Sequence, residues 1–132
     1  MATKSNTQLD NLINKILKKN KDATLGKKSL ESLFKTGEIL SFEKDQKLFE
    51  QGDPTLSVFI TITGSFSVFI ENDINQKKLA DIGVGEFIGE MGVISGTSRS
   101  ATVIANRKSK VIELKLKNIK NSSVDEFEFL LL

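Results

Sequence analysis

The stretch "SVFITITGSFSVFIE", residues 57–71, decides the fold. In its first half Val58, Ile60 and Ile62 recur at every second position. In its second half Phe66, Val68 and Ile70 do the same, and Gly64 separates the two. A period of two belongs to an extended chain whose alternate side chains point to opposite faces. Each half therefore reads as a half-buried antiparallel strand, with the glycine between them as the turn. Working outward, "KVIELKLK" at 110–117 repeats the pattern with Ile112, Leu114 and Leu116, and shorter candidates lie at Glu38–Phe42, Lys47–Glu50, Lys77–Asp81 and Thr102–Ala105. Turn signals stand between them, "EQGDP" at 50–54 and "ENDIN" at 71–75. Seven or eight short strands closed by tight turns argue a mainly β protein, an eight-stranded antiparallel jelly-roll β-barrel or its sandwich relative.

The ends of the chain follow a different period. Leu9, Leu12, Ile13, Ile16 and Leu17 fall at i, i+3, i+4, i+7 and i+8, one apolar stripe of an amphipathic helix. A second short helix is expected around Leu30, Leu33 and Phe34, stopped at Gly37. "SSVDEFEFLLL" reads as one more helix, with Ser122 or Ser123 as cap and Asp125 and Glu126 suited to the positive first turn. The expected organisation is short N-terminal helices over 1–36, a β domain over 37–121 and a C-terminal helix over 122–132. That last helix ends on three leucines and reads as truncated, or as a surface needing a partner.

Composition narrows the function. The chain has 132 residues, enough for one core, and no histidine or cysteine. Ser-His-Asp and Cys-His nucleophiles and histidine metal sites are thereby excluded, no compact carboxylate cluster replaces them, and an enzyme is not expected. No run is long and apolar enough to span a membrane, the polar N-terminus carries no secretory pattern, and a cytoplasmic location with no membrane contact is expected. Charge is uneven: +4 over residues 1–40, −5 over 41–90 and +3 over 91–132. The lysines of "KILKKNKDATLGKK" are spread along a helix and turn and read as a solvated face, so no nucleic-acid partner is expected.

"GEFIGEMGVISGTSRSATVIA", residues 85–105, breaks the strand pattern. The G-x-G-x-x-x-G spacing of 83–89 is one residue too long for a dinucleotide fingerprint, and no Walker lysine follows. What remains is Gly89, Glu90, Met91, Gly92 and Val93. A one-turn helix there would aim free backbone N–H groups at an anion, and Gly89 would let that anion approach closely. Glu90, as a carboxylate, suits hydroxyl donors such as those of a ribose. Of the 19 basic residues only Arg99 and Arg107 are arginine. The planar fork of Arg99 can pair with two phosphate oxygens, which a lysine cannot reproduce, and Ser100 adds a hydroxyl beside it. Together these describe a nucleotide with one compact phosphate. The plainer alternative makes Glu90 and Arg99 a surface ion pair worth roughly 0–1 kcal/mol. The glycines would then be bulges, and Val68, Leu79 and Phe87 core.

The same stretch resembles the phosphate-binding cassette of cyclic nucleotide-binding domains. That family includes the bacterial catabolite activator protein, the regulatory subunits of cyclic-AMP-dependent protein kinase and the cyclic-nucleotide-gated channels. Its loose pattern, G-[DE]-F-x-G-E-x-[AG]-L, a variable loop, then R-[ST]-A-x-V-x-A, has a counterpart for every fixed element between Gly85 and Ala105, except that Val93 replaces the usual leucine. Upstream, Gly52-Asp53 and Gly64 match the family's paired turns, and the resemblance covers about residues 37–116. It implies that Glu90 accepts the ribose 2′-hydroxyl and that Arg99 binds exocyclic phosphate oxygens. It also implies that Gly89, Met91 and Ser100 supply donors, that Val68 and Leu79 pack near base and ribose, and that Phe87 floors the cassette. The implied ligand is cyclic AMP or cyclic GMP, with no other cofactor and no metal. Ser100 lacks the methyl of the threonine that accompanies cyclic GMP preference, which leans the reading to cyclic AMP. The family's second C-terminal helix, which caps the base, and a helix-turn-helix are not expected within residues 117–132. The resemblance thus implies a regulatory sensor that shifts its helical flanks toward a protein partner or a second copy. The alternative is an interaction domain of the same fold that has lost nucleotide binding.

Overall fold

The computed structural model describes residues 3–19, 27–89, 97–115 and 117. Two helices come first, α1 (Thr3–Lys19) and α2 (Lys27–Thr36). Eight strands follow: β1 (Glu38–Phe42), β2 (Lys47–Phe49), β3 (Ser57–Thr63), β4 (Phe66–Glu71), β5 (Gln76–Ile82), β6 (Phe87–Ile88), β7 (Thr102–Ala105) and β8 (Ser109–Lys115). They form two four-stranded antiparallel sheets, ordered β1-β8-β3-β6 and β2-β7-β4-β5. The eight strands match the expectation, but the closed barrel does not. Among the described residues no ladder joins the two sheets, which leaves an open β-sandwich. Alternation reports which face of a strand is buried and is silent on whether the outermost strands pair. Here the outer strand β5 carries Lys77 and Lys78, and its ladder with β4 shifts register between Val68 and Phe69, both devices that disfavour further pairing.

The second correction concerns β3, read from sequence as half-buried. It is buried on both faces. Val58 and Ile60 join Ile112 and Leu114 in a cluster completed by Ile13 and Ile16 of α1, with Leu12, Leu17 and Phe34 packed against it. Phe59, on the opposite face, joins Phe66, Ile88, Val103, Ala105 and Val111 between the sheets, where Phe42 meets Phe66 edge-on with centroids 5.8 Å apart. The first sheet is therefore the middle of three layers. The helical stripe at 12–17 and the strand face at 58 and 60, legible separately, are the two halves of one contact. β6 has only two residues and no alternation to betray it. The expected one-turn helix after Gly89, Leu116 and the C-terminal helix lie outside the described residues.

Glycine 85 sits where α1 crosses the sheet. A Cβ built on it would touch the backbone of Lys15 and Ile16 at 3.4–3.5 Å, and its N–H donates to the Thr61 carbonyl at 2.9 Å. Lys19, in the last turn of α1, reaches Glu86 at 3.4 Å, and Glu86 in turn accepts the Gly83 N–H at 2.9 Å. The helix thus rests directly on the 83–86 turn that leads into β6.

Thr61 is fully buried, and its hydroxyl has no hydrogen-bond partner among the described residues. A buried orphan hydroxyl costs free energy that an apolar group of the same shape does not. Thr61→Val is expected to stabilise the chain by about 1 kcal/mol, measured as a higher urea midpoint at unchanged slope. A lower midpoint would mean that the hydroxyl is in fact partnered.

Candidate functional site

A cavity of about 200 Å³ opens between the sheets, lined by Phe49, Val68, Ile82, Phe87, Ile88, Gly89, Arg99, Ser100, Ala101 and Val103. Its walls come from β2, β4, β5, β6 and β7, and the charged group among its described lining residues is Arg99. Although it lies in a loop, Arg99 is only 5% exposed. A guanidinium that far from water needs compensating partners. Its Nη1 donates to the Gly89 carbonyl at 2.8 Å and its Nη2 to the Ser57 carbonyl at 2.6 Å. Its carbon lies 4.1 Å from the centroid of the Phe49 ring and 5.7 Å from that of Phe59.

The main chain around Arg99 is fixed just as firmly. Its N–H donates to the Asp53 carbonyl and its carbonyl accepts the Gly52 N–H, both at 2.8 Å. Thr55 Oγ1 donates to the Thr97 carbonyl at 2.7 Å, and the Gln51 N–H donates to Thr102 Oγ1 at 2.9 Å. Asp53 closes the turn on itself through the Glu50 N–H at 2.9 Å. The Gly52-Asp53 turn, read from sequence as structural, is the splint for the loop that carries Arg99. On the strand leading into it, Lys47 Nζ meets Glu50 at 2.6 Å, a hydrogen bond that raises the Lys47 pKa.

The fold brings four of the seven sequence-derived candidates to one place: Gly89, Arg99, Ser100 and Val68 all line the cavity. Ser100 is exposed at its edge. Leu79 is 50% exposed on β5, at the register shift between the Val68–Ala80 and Phe69–Lys78 pairs, and is not part of the lining. Glu90 and Met91 lie outside the described residues. Sequence reasoning placed Phe87 beneath the cassette and overlooked Phe49, Ser57, Ile82, Ile88 and Ala101. Nothing local marks Phe49. It meets Arg99 because β2 pairs with β7, opposite Val103.

Gly89 has a positive φ of 86°, a conformation costly for any residue with a Cβ. A Cβ there would also stand 2.2 Å from Arg99 Nη1. The missing side chain makes room for the arginine as well as for any anion. Chemically, the arrangement is a partly apolar recess with one pre-oriented planar cation, an exposed hydroxyl beside it and no group suited to proton transfer or nucleophilic attack among the described lining residues.

The family model for the cyclic nucleotide-binding domain matches residues 39–122. Lysophospholipase NTE1 of Cryptococcus neoformans var. neoformans is 36% identical over 69 residues, covering 52% of this chain and 4% of that protein. The cGMP-dependent protein kinase of Toxoplasma gondii is 31% identical over 84 residues, covering 64% of this chain and 8% of the kinase. The chain thus spans a small fraction of the length of the curated relatives it matches. The crystal structure of a cyclic nucleotide-binding domain from Methylobacillus flagellatus superposes with a TM-score of 0.74 at 22% identity, over 92% of this chain and 73% of that one, a likeness of fold.

Gly89→Ala and Gly52→Ala together isolate the arginine's demand for space. Both glycines have positive φ, but around Gly52 a Cβ would meet nothing within 4 Å. Gly52→Ala is expected to cost about 1 kcal/mol of backbone strain, and Gly89→Ala about 2–3 kcal/mol, because Arg99 must also leave its seat. Equal losses in urea unfolding would show that the guanidinium yields without cost.

Proposed function

The chain belongs to the cyclic nucleotide-binding domain family, and from that premise we propose that it is a non-catalytic sensor module that binds a cyclic mononucleotide, cyclic AMP in preference to cyclic GMP. The observation that carries the reading is Arg99, a planar cation held against the wall of a cavity whose other described lining is largely apolar, with the Ser100 hydroxyl next to it. A cyclic phosphate presents the compact anion such a fork receives in paired, charge-assisted hydrogen bonds. Val68, Ile82 and Phe87 offer apolar surface for the rest of the ligand. Glu90 is the ribose acceptor in this reading. Ser100, lacking the threonine methyl, favours the adenine ligand.

The regulatory part rests on the route from cavity to helix. Gly89, whose carbonyl holds Arg99, directly follows β6. The other end of β6 joins the turn on which α1 sits, through Gly85 and the Glu86–Lys19 ion pair. A phosphate bound to the Arg99 fork weakens the bond from Nη1 to the Gly89 carbonyl, and so acts on that turn and on the seat of α1. Its leverage equals its differential affinity for the two arrangements. The signal would pass to a protein partner, or to a second copy, through the helical flanks.

One observation favours a second reading. The Arg99 guanidinium already serves two protein carbonyls and an aromatic face, which is the work of a structural arginine in a domain that has lost its ligand. Isothermal titration with cyclic AMP and cyclic GMP separates the two. Saturable binding is expected with both, tighter with cyclic AMP. Arg99→Lys, which keeps the charge and loses the fork, is expected to weaken both by about one to two decades. Absence of heat with either ligand up to millimolar concentration would favour the structural reading. Equal binding by wild type and the lysine variant would remove Arg99 from the site.

A further inference from the structure

Phe49 carries none of the roles assigned from the sequence, yet among the described residues it is the aromatic side chain nearest the Arg99 guanidinium. Its ring centroid lies 4.1 Å from the Arg99 guanidinium carbon, and both residues line the cavity wall. Two of the guanidinium's nitrogens are tethered to the Gly89 and Ser57 carbonyls. Tethers to two carbonyls still leave a long side chain room to tilt, because a hydrogen bond tolerates a broad range of angles at the carbonyl oxygen. A ring whose centroid lies 4.1 Å from the guanidinium carbon restricts that freedom, and the quadrupole of the ring attracts the cation it restrains. Phe59 at 5.7 Å, itself tilted 32° against Phe49 with centroids 6.0 Å apart, backs the arrangement from inside the core.

We propose that Phe49 is a positioning residue for anion recognition: its ring holds the Arg99 guanidinium in one orientation, so that a phosphate meets a fork already ordered. The inference rests on the nucleotide-binding reading above. Ordering the cation before the ligand arrives removes a conformational cost from binding. Because Phe49 acts through the charge, its effect is the same for any ligand with the same phosphate, whatever its base. A side chain that merely filled space beside the base would change the ratio of the two nucleotide affinities.

The test uses the full chain and titrates cyclic AMP and cyclic GMP into the wild type, Phe49→Leu, which keeps apolar bulk without a ring, and Phe49→Tyr, which keeps the ring. The leucine variant is expected to weaken both nucleotides by the same factor, about three- to tenfold, and the tyrosine variant to restore wild-type affinity. A direct readout accompanies this one. Arg99 and Arg107 are the chain's two arginines, so a nitrogen-resolved proton spectrum of arginine side chains contains two Hε signals, assigned with Arg107→Lys. The Arg99 signal is expected to be shifted upfield by the ring in the wild type and in Phe49→Tyr, and to move downfield in Phe49→Leu. Phe49→Met serves as the ring-less variant if the leucine protein does not fold. Unchanged affinity without the ring, or equal weakening by leucine and tyrosine, would overturn the proposal while leaving nucleotide binding intact. A wild type that binds neither nucleotide would sink the binding reading and the positioning role with it, an outcome distinguished by the wild-type titration alone.

Discussion

A guanidinium buried to 5% exposure is the constraint around which this domain is arranged. A cation withdrawn from water must find hydrogen-bond acceptors and a polarisable surface inside the protein, or the fold does not hold it there. Arg99 finds them on three separate strands: the Phe49 face at the end of β2, the Ser57 carbonyl at the start of β3 and the Gly89 carbonyl just past β6. β2 lies in one sheet and β3 and β6 in the other, so one side chain ties the two layers together at the cavity. The identity of Gly89 follows from the same contact, since a Cβ there would overlap Nη1. Lysine could supply the charge. It could not donate from two nitrogens of one planar group to two carbonyls beside an aromatic ring, which accounts for an arginine in a chain that otherwise favours lysine.

The three-layer architecture decides what the site can reach. Because β3 is buried on both faces, the helices and the inter-sheet core share one strand as their common wall. Val58 and Ile60 hold α1 while Phe59, between them in sequence, backs the Phe49–Arg99 stack. β6, which lines the cavity, pairs with β3, whose other face packs on the helix side. Gly85 brings the two closest, with the α1 backbone resting on the turn that feeds β6.

Much of this was legible in the residues, and the boundary of legibility is physical. The strands announced themselves through period-two alternation, and α1 through its stripe at 12–17, because these are consequences of local geometry. The cassette was legible because its chemistry is compressed into 21 residues, with glycines, acid and arginine at close spacing. The closed barrel was a misreading of the same alternation, which cannot say whether edge strands join. Phe49 was missed because its role depends on a pairing between segments about fifty residues apart in sequence.

By itself, then, the sequence determined the mainly β class, the helical N-terminal segment, the family and the candidate roles of Gly89, Arg99 and Ser100, since each is written in patterns a few residues long. Only the tertiary structure decided that the sheets stay open, that β3 serves two cores, that Leu79 lies off the cavity and that Arg99 is seated on Phe49 between two backbone carbonyls. Those facts arise where distant strands meet. The backbone carbonyls that hold a buried cation are the same in every residue type and so leave no trace in the order of the letters.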